Sequence, residues 1–319
     1  MLDRLILNRL ARDTLSVIAF HKVPLEPDLL VPGDFHLAAF ERVLAFIVEN
    51  FRVLPLAEAV GRLPYRDFAG PTACLTFDDG YSDWLTGAVP VIERLGLPAT
   101  FFITAGQFFG RPMWHERLAN IVRKFQGSVL DTQAYRLPPL KTETLRNKVD
   151  ALQVLEYHFK YLPLAIRDRY LDQLEHQVGV SIGDVPSMCT ADLVEISNRG
   201  FEIGAHTLEH PILGLCDADR AREEIGTTRE ILEGMIKAPV RAFAYPNGRP
   251  GIDFSPRHID MVKSAGYRYA VTTQRGVARH GSSPFQIPRF TPWGPTRGSM
   301  TFQLIRNLYA KPDSLKETA

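Results

Sequence analysis

The chain has 319 residues, 45% of them apolar and 10% aromatic, enough to bury a large core. A formal charge of +1 gives no general reason to expect a nucleic-acid partner or binding to an anionic membrane, so a charged substrate would have to be recognised locally. Three scattered cysteines, Cys74, Cys189 and Cys216, with no CxxC pair, point away from a disulfide framework or a cysteine zinc site and towards a reduced, cytoplasmic chain.

The start, MLDRLILNRLARDTL, interrupts its apolar run with Asp3 and Arg4, so it reads as neither a secretory signal nor a transmembrane anchor. Leu2, Leu5, Ile6, Arg9 and Arg12 stand at near-helical spacing. That pattern suits a terminal helix packed on its own domain, or a basic helix making weak contact with a membrane surface.

Further along, β-rich runs alternate with amphipathic stretches. Strands are expected at Ser16 to Phe20, Ala73 to Phe77, Ala99 to Thr104, Phe201 to Ala205, Arg241 to Tyr245, Tyr269 to Thr272 and Phe285 to Arg289. Helices are expected at Phe40 to Glu49, Ala88 to Leu95, Asp217 to Met235 and His258 to Ala265. The alternation implies an α/β fold, a barrel or a long open sheet, with the whole chain, 1–319, as one domain. Between about Phe108 and Ser187 the rhythm gives way to charged, Leu-rich sequence without a convincing strand, which reads as a helical insertion in one βα loop.

Several apolar runs end in residues able to do chemistry: Phe20 precedes His21, Phe77 precedes Asp78-Asp79-Gly80, Ala205 precedes His206, and Tyr245 precedes Pro246-Asn247-Gly248. In an α/β barrel the C-terminal strand ends share one rim, so these groups converge. His206 and His210 are four apart, and a helical turn would put both imidazoles on one face, as in many divalent-metal sites. Alone, the pair reads first as two unrelated surface or core histidines, and DDG alone reads equally as a plain Asx turn with Gly80 left-handed. Together, two imidazoles and a carboxylate make a three-ligand site with positions left open, and a cation compensates the repulsion between adjacent carboxylates. A phosphotransferase reading is poorer, because that chemistry usually uses Asp-x-Asp and would leave the histidines unexplained.

TFDDGY, HTLEHP and RAFAYPNG, in this order, resemble the polysaccharide deacetylase family, the NodB-homology domain or carbohydrate esterase family 4. The likeness runs from about Ser16 to Phe290. It implies a distorted (β/α) barrel, usually seven-stranded, that removes acetyl groups from an N-acetylated sugar or glycan with a divalent metal, commonly Zn2+, with Co2+, Mn2+ or Ni2+ as alternatives. Carried over by motif, Asp79, His206 and His210 would hold the metal, and Asp78 would be the general base, oriented by Arg241. Tyr245, Pro246, Asn247 and Gly248 would wall the groove, and the backbone amide of Tyr81 would help hold the oxyanion.

Typical members carry a late Leu-x-His histidine that protonates the leaving amine. Here FQIPRFTPW offers Pro288 and Arg289 instead. IAFHKV resembles the circularly permuted branch, related to biofilm poly-N-acetylglucosamine deacetylases, in which this histidine comes from an early strand. That makes His21 the expected general acid, with His280 as the fallback. Phe108, Trp114 and Trp293 flank the rim loops as sugar platforms or as ordinary packing aromatics. Two other functions stay open: an amidase acting on a non-sugar amide or cyclic ureide with the same metal, and a catalytically silent carbohydrate-binding protein.

Overall fold

A computed structural model of the protein describes residues 7, 10–33, 35–294 and 296–316. The strands are β1 (Leu15–Phe20), β2 (Arg52–Val53), β3 (Thr72–Phe77), β4 (Thr100–Ile103), β5 (Val129–Leu130), β6 (Leu140–Lys141), β7 (Glu202–Ala205), β8 (Ala242–Ala244), β9 (Tyr269–Val271) and β10 (Arg289–Phe290). The helices are α1 (Leu37–Asn50), α2 (Leu56–Arg62), α3 (Ala88–Arg94), α4 (Trp114–Lys124), α5 (Leu145–Lys160), α6 (Leu164–Val178), α7 (Thr190–Asn198), α8 (Ala218–Ile236), α9 (Pro256–Ser264) and α10 (Arg297–Tyr309).

Seven parallel strands run in the order β10-β1-β3-β4-β7-β8-β9 and bend into a nearly closed barrel. The remaining seam is stitched by the stretch leading into β10, where Thr272 N–H donates to Ile287 O at 2.8 Å and Ile287 N–H to Ala270 O at 3.0 Å. β1 and β3 match in register from Leu15↔Thr72 to Phe20↔Phe77 and are buried at every residue. Strands covered on both faces read as the continuous apolar runs LSVIAF and TACLTF rather than as alternations. β2 pairs with β3 at Thr72 and Ala73, whereas β4 joins β3 only at Thr76 and Phe77.

Side chains still alternate along each strand and thus sort into two cores. Val17, Cys74, Phe102, Ala242, Ala244, Val271 and Ile287 fill one cluster, the barrel interior. Ile18, Phe20, Leu75, Phe77, Phe101, Ile203 and Phe243 join the larger cluster formed with the surrounding helices. Leu7 also packs there, while Leu2, Leu5, Ile6 and Arg9 of the expected N-terminal helix lie outside the described residues.

The insertion is helical as expected, with one correction. β5 and β6 form a short antiparallel hairpin, Val129↔Lys141 and Leu130↔Leu140, too brief to show in the periodicity. Residues from α4, the hairpin, α5 and α6, among them Leu118, Leu130, Leu155, Phe159 and Leu171, make a third apolar cluster. Buried Arg117 ties α4 to α6 through Glu175 (2.8 and 2.7 Å) and Asp172 (2.6 Å).

Candidate metal and catalytic site

Asp78 follows Thr76 on the inward face of β3, so its carboxylate points into the top of the barrel. There the guanidinium of Arg289, on β10, donates to both of its oxygens at 2.6 Å. Arg289 also donates to Thr272 O (2.9 Å) and Thr76 Oγ1 (3.2 Å), and its charge sits 5.6 Å above the Phe102 ring. Burial alone would push the Asp78 pKa up, but the positive charge and hydrogen bonds of Arg289 outweigh it and hold the carboxyl below its ordinary range.

Asp79 turns the other way, because it adopts the left-handed conformation at φ 85°, followed by Gly80 at φ 95°. A Cβ on Gly80 would be strained at this φ and would displace the Gln107 amide, 2.1 Å away, so glycine suits the turn here. The turned carboxylate meets the loop after β7. His206 Nε2 stands 3.4 Å and His210 Nε2 3.5 Å from Asp79 Oδ1, and all three residues are at least nine-tenths buried.

The histidine spacing does not arise from a helix. Residues 206–210 form an irregular bend with Thr207 at φ 63° and His210 at φ 51°, two non-glycine left-handed residues. Such conformations cost about 1–3 kcal/mol each and persist where the surroundings fix them. Here buried Glu224 on α8 accepts from Leu208 N (2.8 Å) and Glu209 N (2.9 Å), and buried Arg167 on α6 donates to Glu209 O (2.9 Å) and His210 O (3.3 Å). Gly106 N–H donates to Leu208 O at 2.7 Å, and a Cβ at Gly106 would lie 2.4 Å from that oxygen. Burial raises the Glu224 pKa to about 7 even with Arg220 beside it.

The donor set fits a cation. His206 Nδ1 donates to Ala244 O at 2.8 Å, which leaves the Nε2 lone pair facing Asp79 Oδ1. Asp79 Oδ1 is buried with no hydrogen-bond partner among the described residues, so oxygen and nitrogen lone pairs face one another across a short gap. A positive charge between them removes that repulsion. Burial and neighbouring charge set the two histidines apart. Burial opposes charge on His206, yet Asp79 and Asp78 draw its pKa up, while burial holds His210 well below its ordinary value.

His21 follows β1 directly. It lines one open cavity of about 580 Å³ together with Asp78, Asp79, Tyr81, Trp114, His115, His206, His210 and Asn247. The His21 carbonyl is anchored by Trp84 Nε1 at 2.7 Å. The sequence reading thus brings together Asp78, Asp79, His206, His210, His21, Tyr81, Trp114 and Asn247.

Other expected residues fall elsewhere. Arg241 is exposed at the N-terminal end of β8, the opposite end of the barrel, so the clamp on Asp78 belongs to Arg289. Tyr245 is fully buried and stacked on Phe254 (centroids 3.9 Å apart), and Pro246 is buried and does not line the cavity, so neither walls the groove. Trp293 lies in a separate small cavity with Gln303 and Arg306, and Phe108 packs against the main core. His280 bonds Pro64 O at 3.0 Å near the N-terminal strand ends and is no candidate acid.

Two site residues were missed. Arg289 was visible only as the polar residue of the last strand, and placing it beside β3 requires knowing that the barrel closes on β1. His115, on the first turn of α4, carries no motif at all, yet its Nε2 lies 2.7 Å from Tyr81 Oη and 3.8 Å from Asp79 Oδ2.

The chain is thus a (β/α) barrel protein whose nearly closed parallel barrel gathers one carboxylate, two imidazoles and a clamped second carboxylate at its C-terminal rim. The polysaccharide deacetylase family model matches residues 66–150 and 174–270, over half of the chain, and the chain belongs to that family. YxkH of Bacillus subtilis (strain 168), which bears the name of a polysaccharide deacetylase, is 22% identical over 112 residues, 35% of this chain. That match spans only 39% of YxkH.

Among solved structures, the deacetylase PplD of Streptococcus pyogenes, in complex with acetate, aligns with TM-score 0.62 at 14% identity, covering 93% of this chain and 99% of its own. IcaB from Ammonifex degensii aligns with TM-score 0.60 at 18% identity, covering 91% and 97%. Both likenesses establish the barrel fold.

Proposed function

We propose that the protein is a metal-dependent hydrolase that removes N-acetyl groups from an N-acetylated sugar or glycan. One observation carries the reading: Asp79 Oδ1 faces His206 and His210 Nε2 at 3.4 and 3.5 Å in the same cavity as the clamped Asp78 and His21. Family membership supports the reaction class.

Asp79, His206 and His210 would hold a divalent cation, with Zn2+ suited to two imidazoles and a carboxylate. Such a cation supplies Lewis acidity towards an acetamide carbonyl and eases deprotonation of water. Asp78, kept ionised and aimed by Arg289, accepts the proton as water oxygen bonds to the carbonyl carbon. His21 protonates the amine as the carbon–nitrogen bond breaks, releasing acetate and a free amino sugar. Trp114 and Asn247 offer apolar and polar wall to the sugar.

The test combines metal analysis of purified protein with an acetate-release screen of N-acetylglucosamine oligomers against simple amides and cyclic ureides. Acetate release from the oligomers, lost on chelation and restored by metal, is the expected result. Turnover confined to the simple amides or ureides would replace the substrate class, and bound metal with no turnover on any of them would point to a silent binding protein.

A further inference from the structure

Asp79 presents two oxygens in two different environments. Oδ1 faces the histidine nitrogens and has no hydrogen-bond partner among the described residues, whereas Oδ2 accepts from Tyr81 Oη at 3.0 Å. An ionised carboxylate only accepts, so the single phenolic hydrogen is committed to Asp79. The tyrosine oxygen is then left as an acceptor, and His115 Nε2, 2.7 Å away, must be the donor. This fixes His115 with its proton on Nε2, in a directed chain from insertion helix α4 through Tyr81 to one oxygen of Asp79.

We propose that Tyr81 and His115 are positioning residues that hold Asp79 to one-oxygen ligation and so set the geometry of the metal centre from the insertion. The proposal rests on the metal reading above. With Oδ2 occupied by the phenol, the carboxylate cannot swing to bind through both oxygens, and Oδ1 stays aimed between His206 and His210. The surroundings favour the arrangement. Tyr81 is 8% exposed and packs edge-on against Trp84 at 6.2 Å, which fixes its ring, and the Lys22 ammonium lies over the ring, 5.1 Å from its centroid, while pairing with Glu116 on α4. A barrel residue supplies the hydroxyl, and the insertion supplies the group that orients it.

The test uses full-length protein loaded with Co2+, because the visible d–d spectrum reports the number and kind of ligands without any turnover. Tyr81→Phe removes the donor and keeps the ring, and His115→Ala removes the orienting group. Outer contacts of this kind are worth about 10–100-fold in metal affinity. Both variants are expected to bind Co2+ that much more weakly with an altered spectrum, the double variant is expected to be no worse than Tyr81→Phe, and His115→Gln, whose amide can donate to the phenol, is expected to recover part of the loss. Wild-type affinity and spectrum in both single variants would overturn the pair alone. A wild-type protein that takes up no Co2+ would overturn the metal reading and this proposal with it.

Discussion

The barrel and the insertion contribute to the same cavity by different means. The barrel supplies Asp78, Asp79, His21 and His206 simply because parallel strands all end at one rim, so each needs only to follow its strand, and it supplies Arg289 from the first residue of β10. The insertion supplies Trp114 and His115 from α4, lining residues such as Lys160 from α5, and Arg167 from α6, and these reach the site through a separate apolar core and a buried ion network. The family match covers Asp78, Asp79, His206 and His210 together with Trp114 and His115, and breaks off over residues 151–173, within α5 and α6, while His21 and Arg289 lie outside it. Topology is a cheap way to place a reacting group; a wall must be packed into place.

The sharpest way to break this contrast is at the barrel rim. Asp79→Ala should abolish both metal content and acetate release, while Asp78→Asn and His21→Ala should keep the metal and lose about 10²–10⁴ in rate; full activity in His21→Ala would reassign the acid. Next comes the clamp. Arg289→Met leaves Asp78 buried and unpaired, and urea unfolding should show a loss of about 3–5 kcal/mol. Arg241→Met, exposed at the other end, should stay within about 0.5 kcal/mol of wild type.

A third test stays within the barrel scaffold but away from the site. His258, buried at the start of α9, accepts from Ser255 N at 2.9 Å, and burial together with Arg257 lowers its pKa to about 4. The unfolded chain takes up a proton near the ordinary value of 6.5 that the fold refuses until about 4. Stability should therefore be full above pH 6.5 and fall through that window by about 3 kcal/mol. His258→Gln, able to keep the cap, should flatten that slope in melts run from pH 7 to 4. The smallest effect lies in the insertion: Arg167→Ala should loosen the His210 loop and weaken metal binding about 10-fold in a chelator competition, with the fold kept. An unchanged affinity would mean that the insertion only shapes the wall.

The sequence made the barrel legible because buried parallel strands read as apolar runs, and β1, β3, β7 and β9 begin or end within a residue of where the pattern puts them. The motif residues were legible for the same reason: Asp78, Asp79 and His206 sit directly at strand ends. What was hidden is whatever depends on closure or on irregular backbone. The exchange of Arg241 for Arg289 needed the meeting of β10 with β1, the bend that joins His206 to His210 depends on two left-handed residues instead of a helical period, and His115 depends on the packing of α4.

The Asp78–Arg289 pair spans 211 positions of sequence, linking the second strand of the ring to its last. On a ribosome, the Asp78 carboxylate therefore waits unneutralised until β10 has emerged, and a truncated or stalled product ending before β10 would carry Asp78 without the partner that holds it. Docking of β10 is in that sense a completion signal: the carboxylate becomes a settled part of the interior only when that strand has docked.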